Sequence, residues 1–419
     1  MGLKLGKSSL KDHPNIKITG SKSESNRLLL LQALCQNIQI ENLSNSDDSQ
    51  LMQTALLSNE DTIDIHHAGT AMRFLTAYYA IQKGRDVTLT GSKRMTERPI
   101  KILVDALRYL GADIEYLKNE GYPPLKIKGK KLQGGKVTLK ANVSSQYISA
   151  LMLIGAKLKN GLELHLEGAI TSVPYIKMTL ALLNEIGVET SFTEQTIKIK
   201  SNYSRLLNRN QESEIKNQQS ITVESDWSSA SYFYSIVALS NVGAQVTLSS
   251  YKKDSLQGDS ILVDIYNLFG VETKFSEGNA IILKKTSNPS QPIYLDLKDA
   301  PDIAQTIAVT ALGLGVSCQL QGLHTLKIKE TDRLEALKNE IEKLGGTIHV
   351  SKDALQLKPS KKIISNIKIA TYNDHRMAMA FAPLALKVPI EIEDANVVSK
   401  SYPDFWEDLK TLGVSMSKQ

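Results

Sequence analysis

The chain has 419 residues, with 50 Lys plus Arg against 44 Asp plus Glu, a net charge of +6 and 42% hydrophobic residues. That length exceeds what one hydrophobic core fills, so two domains are expected, and the composition is that of a folded globular chain. No basic stripe with interleaved aromatics argues for nucleic acid, no apolar run is long enough to span a bilayer, and two cysteines, Cys35 and Cys318, are too few for a disulfide framework.

Residues 1–10 carry lysines but neither an apolar stretch nor a small-residue cleavage site, so a cytoplasmic location is expected. The first predicted element is a helix opening at Ser21, whose body NRLLLLQALC is apolar nearly all round, the mark of a buried helix. Five more of this kind open at Gly69, Ser144, Ser228, Pro301 and Asn373. The adjacent histidines His66 and His67 have no third ligand at a metal spacing, so no metal site is expected.

A second, amphipathic helix type is interleaved with the first: DALRYLGA (105–112), ALLNEIGV (181–188), DIYNLFGV (264–271), NEIEKLGG (339–346) and DLKTLGV (408–414). Each stops at a glycine, namely Gly111, Gly187, Gly270, Gly345 and Gly413. A glycine after the last periodic residue is a C-cap signal, because it enters the left-handed region without strain. The alternating run that follows, such as DIEY (113–116), reads as a strand. The pattern is six repeats of about 70 residues in an α/β chain, each joining strands to one buried and one amphipathic helix. Residues 48–69 show no glycine-stopped helix, so the first repeat reads as trimmed. Residues 201–220, rich in Asn, Gln, Ser and Lys, read as a solvated loop near the domain junction.

The chemistry-bearing residues collect where the buried helices open. GSKSESNR (20–27) sets Lys22 and Arg27 among hydroxyls at a helix start, which suits a carboxylate or phosphate. In AGTAMR (68–73), Gly69 allows a ligand close to the backbone, and RMTERP (94–99) brings two arginines to a loop. SSQ (144–146) adds two hydroxyls and an amide, followed by Ser172 and Tyr175. Later come Asp302 in DAPD (299–302), the charge run KIKETDR (327–333), NDHR (373–376) and Lys400 in SKSYP (399–403). Thr331 and Glu335 make only an imperfect capping box, so capping alone does not explain the charge run. Singly each motif is satisfied by capping or turn chemistry. Together they place basic, hydroxyl and acidic groups at the same structural position in repeat after repeat, which points to one shared cleft for multiply anionic ligands.

GSKSxSNR, AGTAMR, RMxERPI, SSQ, PYI, SSASYF, PDIAxTIA, KETDRL, YNDHRMAM and SKSYPDF run in the order found in 5-enolpyruvylshikimate-3-phosphate synthases, and the chain resembles that family over nearly its whole length. The resemblance implies an inside-out α/β barrel fold: two similar domains, each of three βαβαββ repeats with buried helices. It implies a domain of residues 21–223, a second of residues 1–20 plus 224–419, and an active site in the cleft between them. It also implies enolpyruvyl transfer from phosphoenolpyruvate to the 5-hydroxyl of shikimate-3-phosphate, by a cytoplasmic monomer without metal or organic cofactor. Ser23, Arg27, Ser144, Ser145, Gln146, Ser172 and Tyr175 would hold the phosphate and carboxylate of shikimate-3-phosphate, with Asp302 and Lys329 on its hydroxyls. Lys22, Arg94, Gln146, Lys400 and the Gly69 backbone would surround the phosphate of phosphoenolpyruvate, and Arg333 and Arg376 would grip its carboxylate. Asp302 and Glu330 would be the acid/base pair, and Lys22 would bridge the acceptor hydroxyl and the phosphate. The chain departs from the family pattern at His67, where Asn is usual, at Phe74, where Pro is usual, and at Thr325, where Asn is common. Rival readings are a UDP-N-acetylglucosamine enolpyruvyl transferase, disfavoured because residues 94–99 lack a cysteine while Cys35 and Cys318 are expected inside buried helices, and a non-catalytic anion-binding relative.

Overall fold

The protein is described by a computed structural model over residues 2–35, 37–140, 144–168, 170, 172–201, 219–289 and 291–418. The chain divides into two compact units, Gly20–Val223 and the combination of Met1–Thr19 with Glu224–Gln419. Each has its own hydrophobic core and three sheets.

In the unit Gly20–Val223 the helices are α1 (Lys22–Cys35), α2 (Asp47–Leu57), α3 (Gly69–Ala80), α4 (Lys101–Tyr109), α5 (Ser145–Gly155) and α6 (Val173–Glu185). Two four-stranded sheets share one plan. Thr62–Asp64 runs parallel to Asp86–Thr90, and Gly135–Lys140 parallel to Leu162–Glu167, each pair joined by a buried helix, α3 or α5. Parallel neighbours need such a crossover, which a hairpin cannot provide. An amphipathic helix follows, α4 or α6, and then an antiparallel hairpin completes the sheet. The order is therefore strand, helix, strand, helix, strand, strand.

The other unit repeats the plan three times with α7 (Trp227–Leu239), α8 (Leu262–Leu268), α9 (Ala304–Leu314), α10 (Arg333–Lys343), α11 (His375–Phe381) and α12 (Phe405–Leu412). Its first nineteen residues complete two of its sheets. Asn15–Ile16 pairs in parallel with Gln245–Leu248, and Leu3–Leu5 lies antiparallel between Ile390–Ile392 and Met416–Lys418.

Local chemistry accounts for these elements. In Gly135–Lys140, Val137 and Leu139 are buried between exposed lysines, so the strand turns one face to the core. Every residue of α7 except Ser228 is buried, as expected of a helix apolar on all sides. The apolar stripe of α4, with Leu103, Val104, Ala106 and Leu107, is buried while its other face is solvated. The five stop glycines lie at φ between 75° and 104°, a region closed to other residues without strain.

Three expectations change. Residues 48–69 do contain a helix, α2, hidden from the glycine criterion because Ser58 ends it in extended geometry. The first repeat is nevertheless short: among the described residues its sheet has two strands, Ile38–Glu41 and Gln219–Thr222, where the other five have four. Most of the loop expected over 201–220 lies outside the described residues, and its end enters the strand Gln219–Thr222. Cys318 opens the strand Cys318–Gln321 instead of lying in a helix, although it is buried as Cys35 is. Among the described residues no helix is long and apolar enough to cross a membrane.

Candidate active site

In the unit containing α7 to α12, three helix openings bring their polar residues together. Asp332 caps α10, accepting from the Leu334 and Glu335 amides at 3.1 and 3.2 Å. Asp374 caps α11, accepting from the Arg376 amide at 2.8 Å. These two carboxylates satisfy the exposed amides, which leaves Asp302, Lys329, Glu330, Arg333 and Arg376 for other work.

Arg333 is the hub, with only 2% of its side chain exposed. Its Nε donates to Asp374 at 2.6 Å, Nη1 to Asp302 at 2.8 Å and Nη2 to Glu330 at 2.7 Å. Asp302 also faces Lys329 Nζ and Arg376 Nη2, each at 3.4 Å. Burial alone would push the Asp302 carboxyl up, but Lys329, Arg376 and Arg333 outweigh it and hold it well below the usual carboxylate range. Burial opposes the charge of Arg333 too, and Asp374, Glu330 and Asp302 more than restore it. Lys400 joins this opening, its Nζ bonded to the Asn373 carbonyl at 2.7 Å and side-chain oxygen at 2.9 Å. Asp302 and Glu330 thus share one arginine in different surroundings, and Asp302 carries two further cations. Carboxylates so differentiated are suited to different proton-transfer roles.

In the unit Gly20–Val223, Arg27 is buried where α1 meets α5 and α6. Its Nε donates to Thr179 Oγ1 at 2.8 Å, Nη2 to Ser149 Oγ at 2.9 Å and Nη1 to the Ser23 carbonyl at 2.7 Å. The guanidinium lies 5.5 Å from the Phe74 ring centre and 5.7 Å from that of Tyr175. Burial lowers its pKa to about 10, which still leaves it charged at neutral pH. Lys22, the first residue of α1, is half-buried.

A second group surrounds the start of α3. Arg73 donates to the Gly69 carbonyl at 3.0 Å and to the Pro99 carbonyl at 3.4 Å, and Tyr147 donates to the same Pro99 oxygen at 2.5 Å. Burial, with Arg98 nearby, brings Arg73 down to about 10. A Cβ on Gly69 would sit 2.5 Å from Arg98 Nη1, so glycine is what lets that arginine lie against the helix start. Gln146 reaches the same place, donating to Thr70 Oγ1 at 3.3 Å.

The sequence-predicted residues thus fall into groups. Asp302, Lys329, Glu330, Arg333, Arg376 and Lys400 are gathered in one unit. In the other, Ser23, Arg27 and Tyr175 are gathered, and Gln146 meets the Gly69 helix start. Ser144 caps α5, accepting from the Gln146 amide at 3.4 Å, and Ser145 is the first residue of that helix. Ser172 precedes α6 in the left-handed region, at φ 55°. Arg94 is exposed and paired with Glu97 at 3.3 Å, whereas Arg98 of the same motif occupies the Gly69 position. Of the departures from the family pattern, His67 faces Asp47 at 3.7 Å, Phe74 is fully buried beneath Arg27, and Thr325 lies in the 3-10 helix His324–Ile328.

The sequence profile of EPSP synthase (3-phosphoshikimate 1-carboxyvinyltransferase) matches residues 53–409. A 3-phosphoshikimate 1-carboxyvinyltransferase of Bacteroides fragilis is 47% identical over 403 residues, covering 95% of each chain. The chain belongs to the EPSP synthase family. A relative of the same name from Mannheimia haemolytica is 35% identical over 431 residues, covering 95% of this chain and 96% of its own. Among solved structures, EPSP synthase from Acinetobacter baumannii superposes with TM-score 0.79 at 20% identity over 100% of both chains. The enolpyruvyl transferase NikO from Streptomyces tendae does so with TM-score 0.74 at 14% identity, covering 99% of this chain and 98% of its own. At such identities these two speak for the fold alone, and they agree with the α/β architecture described above.

Sequence reasoning missed several residues of these groups, among them Ser149, Thr179, Arg98 and Asp259. Ser149 and Thr179 sit inside buried helices, and the rule that a buried hydroxyl needs a partner could have flagged them. Arg98 stood in a motif already singled out. Asp259 gave no signal at all. It lies in the turn Gly258–Ile261, 5% exposed, where its carboxylate accepts a hydrogen bond from Ser228 Oγ. Burial first, and then Asp302, push its carboxyl up to about 6, against the opposing pull of Arg376 and Ser228.

Proposed function

We propose that this EPSP synthase family member transfers the enolpyruvyl group of phosphoenolpyruvate to the 5-hydroxyl of shikimate-3-phosphate and releases phosphate. The acceptor oxygen bonds to the central carbon of phosphoenolpyruvate, the hydroxyl proton leaves, and the methylene takes a proton to become methyl. The resulting tetrahedral ketal then expels phosphate while the methyl returns a proton, restoring the double bond. The two substrates supply every transferred heavy atom, the protons pass through protein carboxylates in exchange with solvent, and no carbon changes oxidation state overall, so the reaction calls for no metal or organic cofactor.

The observation that carries this reading is the carboxylate pair on Arg333. Asp302, ionised under three cations, takes the hydroxyl proton, and Glu330 serves the methylene. Asp302 held so far down is a weak base. An anionic ligand arriving at Arg376 offsets part of the positive field and raises its basicity. Arg376 and Arg333 receive the carboxylate of phosphoenolpyruvate, with Arg333 exchanging one of its three protein carboxylates to do so. Lys22, Arg94, Gln146, Lys400 and the Gly69 backbone receive its phosphate, and Lys22 bridges that phosphate and the acceptor hydroxyl. Arg98, lying against Gly69, adds a further cation to this group. Ser23, Arg27, Ser144, Ser145, Gln146, Ser172 and Tyr175 hold the phosphate and carboxylate of the acceptor, with Lys329 and Asp302 on its hydroxyls. The reading includes a monomeric enzyme in a cytoplasmic setting.

The test is phosphate release by purified protein given phosphoenolpyruvate with either shikimate-3-phosphate or UDP-N-acetylglucosamine. Release with the first acceptor only, lost in Lys22→Ala and Glu330→Gln, is the expected result. Release with the second acceptor, or with neither despite a folded protein, contradicts the reading.

A further inference from the structure

We infer that Asp259 is a positioning residue for the carboxylate of the enolpyruvyl donor, acting through Ser228 on the guanidinium of Arg376. The inference rests on the reading of Arg376 as the donor-carboxylate ligand.

Three elements of one unit meet here. Ser228 is the one residue of α7 that is not buried within it, and it turns to the opening of α11. Its hydroxyl donates to Asp259 Oδ2, so its oxygen is left to accept, and it takes a hydrogen bond from Arg376 Nη2 at 3.3 Å. The same nitrogen faces Asp302 Oδ2 at 3.4 Å. An arginine Nη carries two hydrogens. Nη2 therefore donates to the hydroxyl that Asp259 orders and lies within ion-pair distance of the Asp302 carboxylate. Among the described residues Nε and Nη1 of Arg376 make no hydrogen bond. The guanidinium plane is fixed by one nitrogen while the remainder of its edge is left for a ligand, and a planar fork binds a carboxylate well only when its plane is set in advance.

A purely structural role does not account for an aspartate here. The Ser228 hydroxyl needs only an acceptor, and an asparagine oxygen provides one without burying a charge. The charged groups facing Asp259 are Asp302 from the turn before α9, Asp226 before α7 and Arg376 from α11. Two of the three repel it. What the buried carboxylate adds over an amide is a negative charge that orders Ser228 as donor toward itself and hence as acceptor toward Arg376. With a neutral amide in its place the hydroxyl is free to reverse, and Arg376 loses a fixed partner.

The experiment is steady-state phosphate release by wild type, Asp259→Asn, Ser228→Ala and the double variant, varying each substrate in turn. The expected result is a KM for phosphoenolpyruvate raised roughly 10-fold or more in each single variant. The KM for shikimate-3-phosphate and kcat should stay within about twofold, and the double variant should be no worse than the worse single one, since both act on one path. An unchanged KM for phosphoenolpyruvate, equal rises for both substrates, a fall in kcat alone, or additive losses would each overturn the inference. If Asp259→Asn does not fold, Ser228→Ala alone must show the selective rise. Absence of release by the wild type instead overturns the functional reading, and this inference with it.

Discussion

The partly buried Asp302 and the buried Asp259 are two aspartates of one unit driven in opposite directions by their neighbours. Asp302 meets Lys329, Arg333 and Arg376 and is held low, whereas Asp259 has burial and Asp302 against it and rises to about 6. For Asp302 the proposed role is that of a base: Asp302→Asn keeps the size and the bond to Arg333 but removes the carboxylate, so kcat should fall by about 10²–10⁴-fold. Stopped or steady-state phosphate release reads this, and a kcat within a factor of two of wild type would remove Asp302 from the proton-transfer role. For Asp259 the consequence is a stability cost. Its ordinary value is 3.8 and its folded value about 6. Between them the folded chain holds a proton that the unfolded chain has released, so stability falls as pH rises through this window and is level above it. Asp259→Asn has no such term. Its melting temperature relative to wild type should therefore climb between about pH 4 and pH 7, and a pH-independent difference would contradict the assignment. A residue that costs stability in its working charge state is one whose charge serves something other than folding.

At the scale of elements, the helix openings explain both what was legible and what was not. The opening of α10 combines a cap, Asp332, with a hub, Arg333, and KIKETDR reads as excess charge because only one of its five charged residues is needed as the cap. The geometry around Arg333 was not legible, because its partners Asp302 and Asp374 come from two other helix openings at sequence separations of 31 and 41. Removing the hub leaves three carboxylates without their shared cation. Arg333→Ala should destabilise this unit by about 3–5 kcal/mol, whereas Arg333→Lys, which keeps a cation but not the three-way fork, should cost less. Chemical denaturation of both variants checks this, and equal midpoints would argue against the hub. The strand Leu3–Leu5 shows a second kind of limit. Nothing in three residues reveals that they are hydrogen-bonded on both edges, to Ile390–Ile392 and to Met416–Lys418. Deleting residues 2–6 takes out an interior strand and strips two neighbours of their ladders. The expected outcome is rapid proteolysis within residues 367–418 of a chain that resists it when intact. Full resistance after the deletion would show that the pairing contributes little.

For the molecule as a whole, the period of the repeat was legible because it depends on local chemistry: glycines that alone tolerate the left-handed stop, and helices too apolar to face water. The helix α2 escaped because Ser58 ends it with ordinary backbone angles and leaves no glycine to find. The candidate site residues stood out as motifs, through family resemblance and through polar groups at helix starts that folding did not require. Asp259 and the Thr179–Ser149 pair were not, since a lone aspartate in a turn and hydroxyls within apolar helices look like ordinary residues until their partners are known. The proposed reaction is an addition–elimination in which the donor methylene passes through methyl. The measurement that tests it most directly is the mass of the product formed from phosphoenolpyruvate and shikimate-3-phosphate in heavy water. The expected result is an enolpyruvyl product carrying deuterium on its methylene, lost in Arg27→Ala and lost in Arg376→Ala. A product formed without deuterium, or one that survives either substitution undiminished, would contradict it.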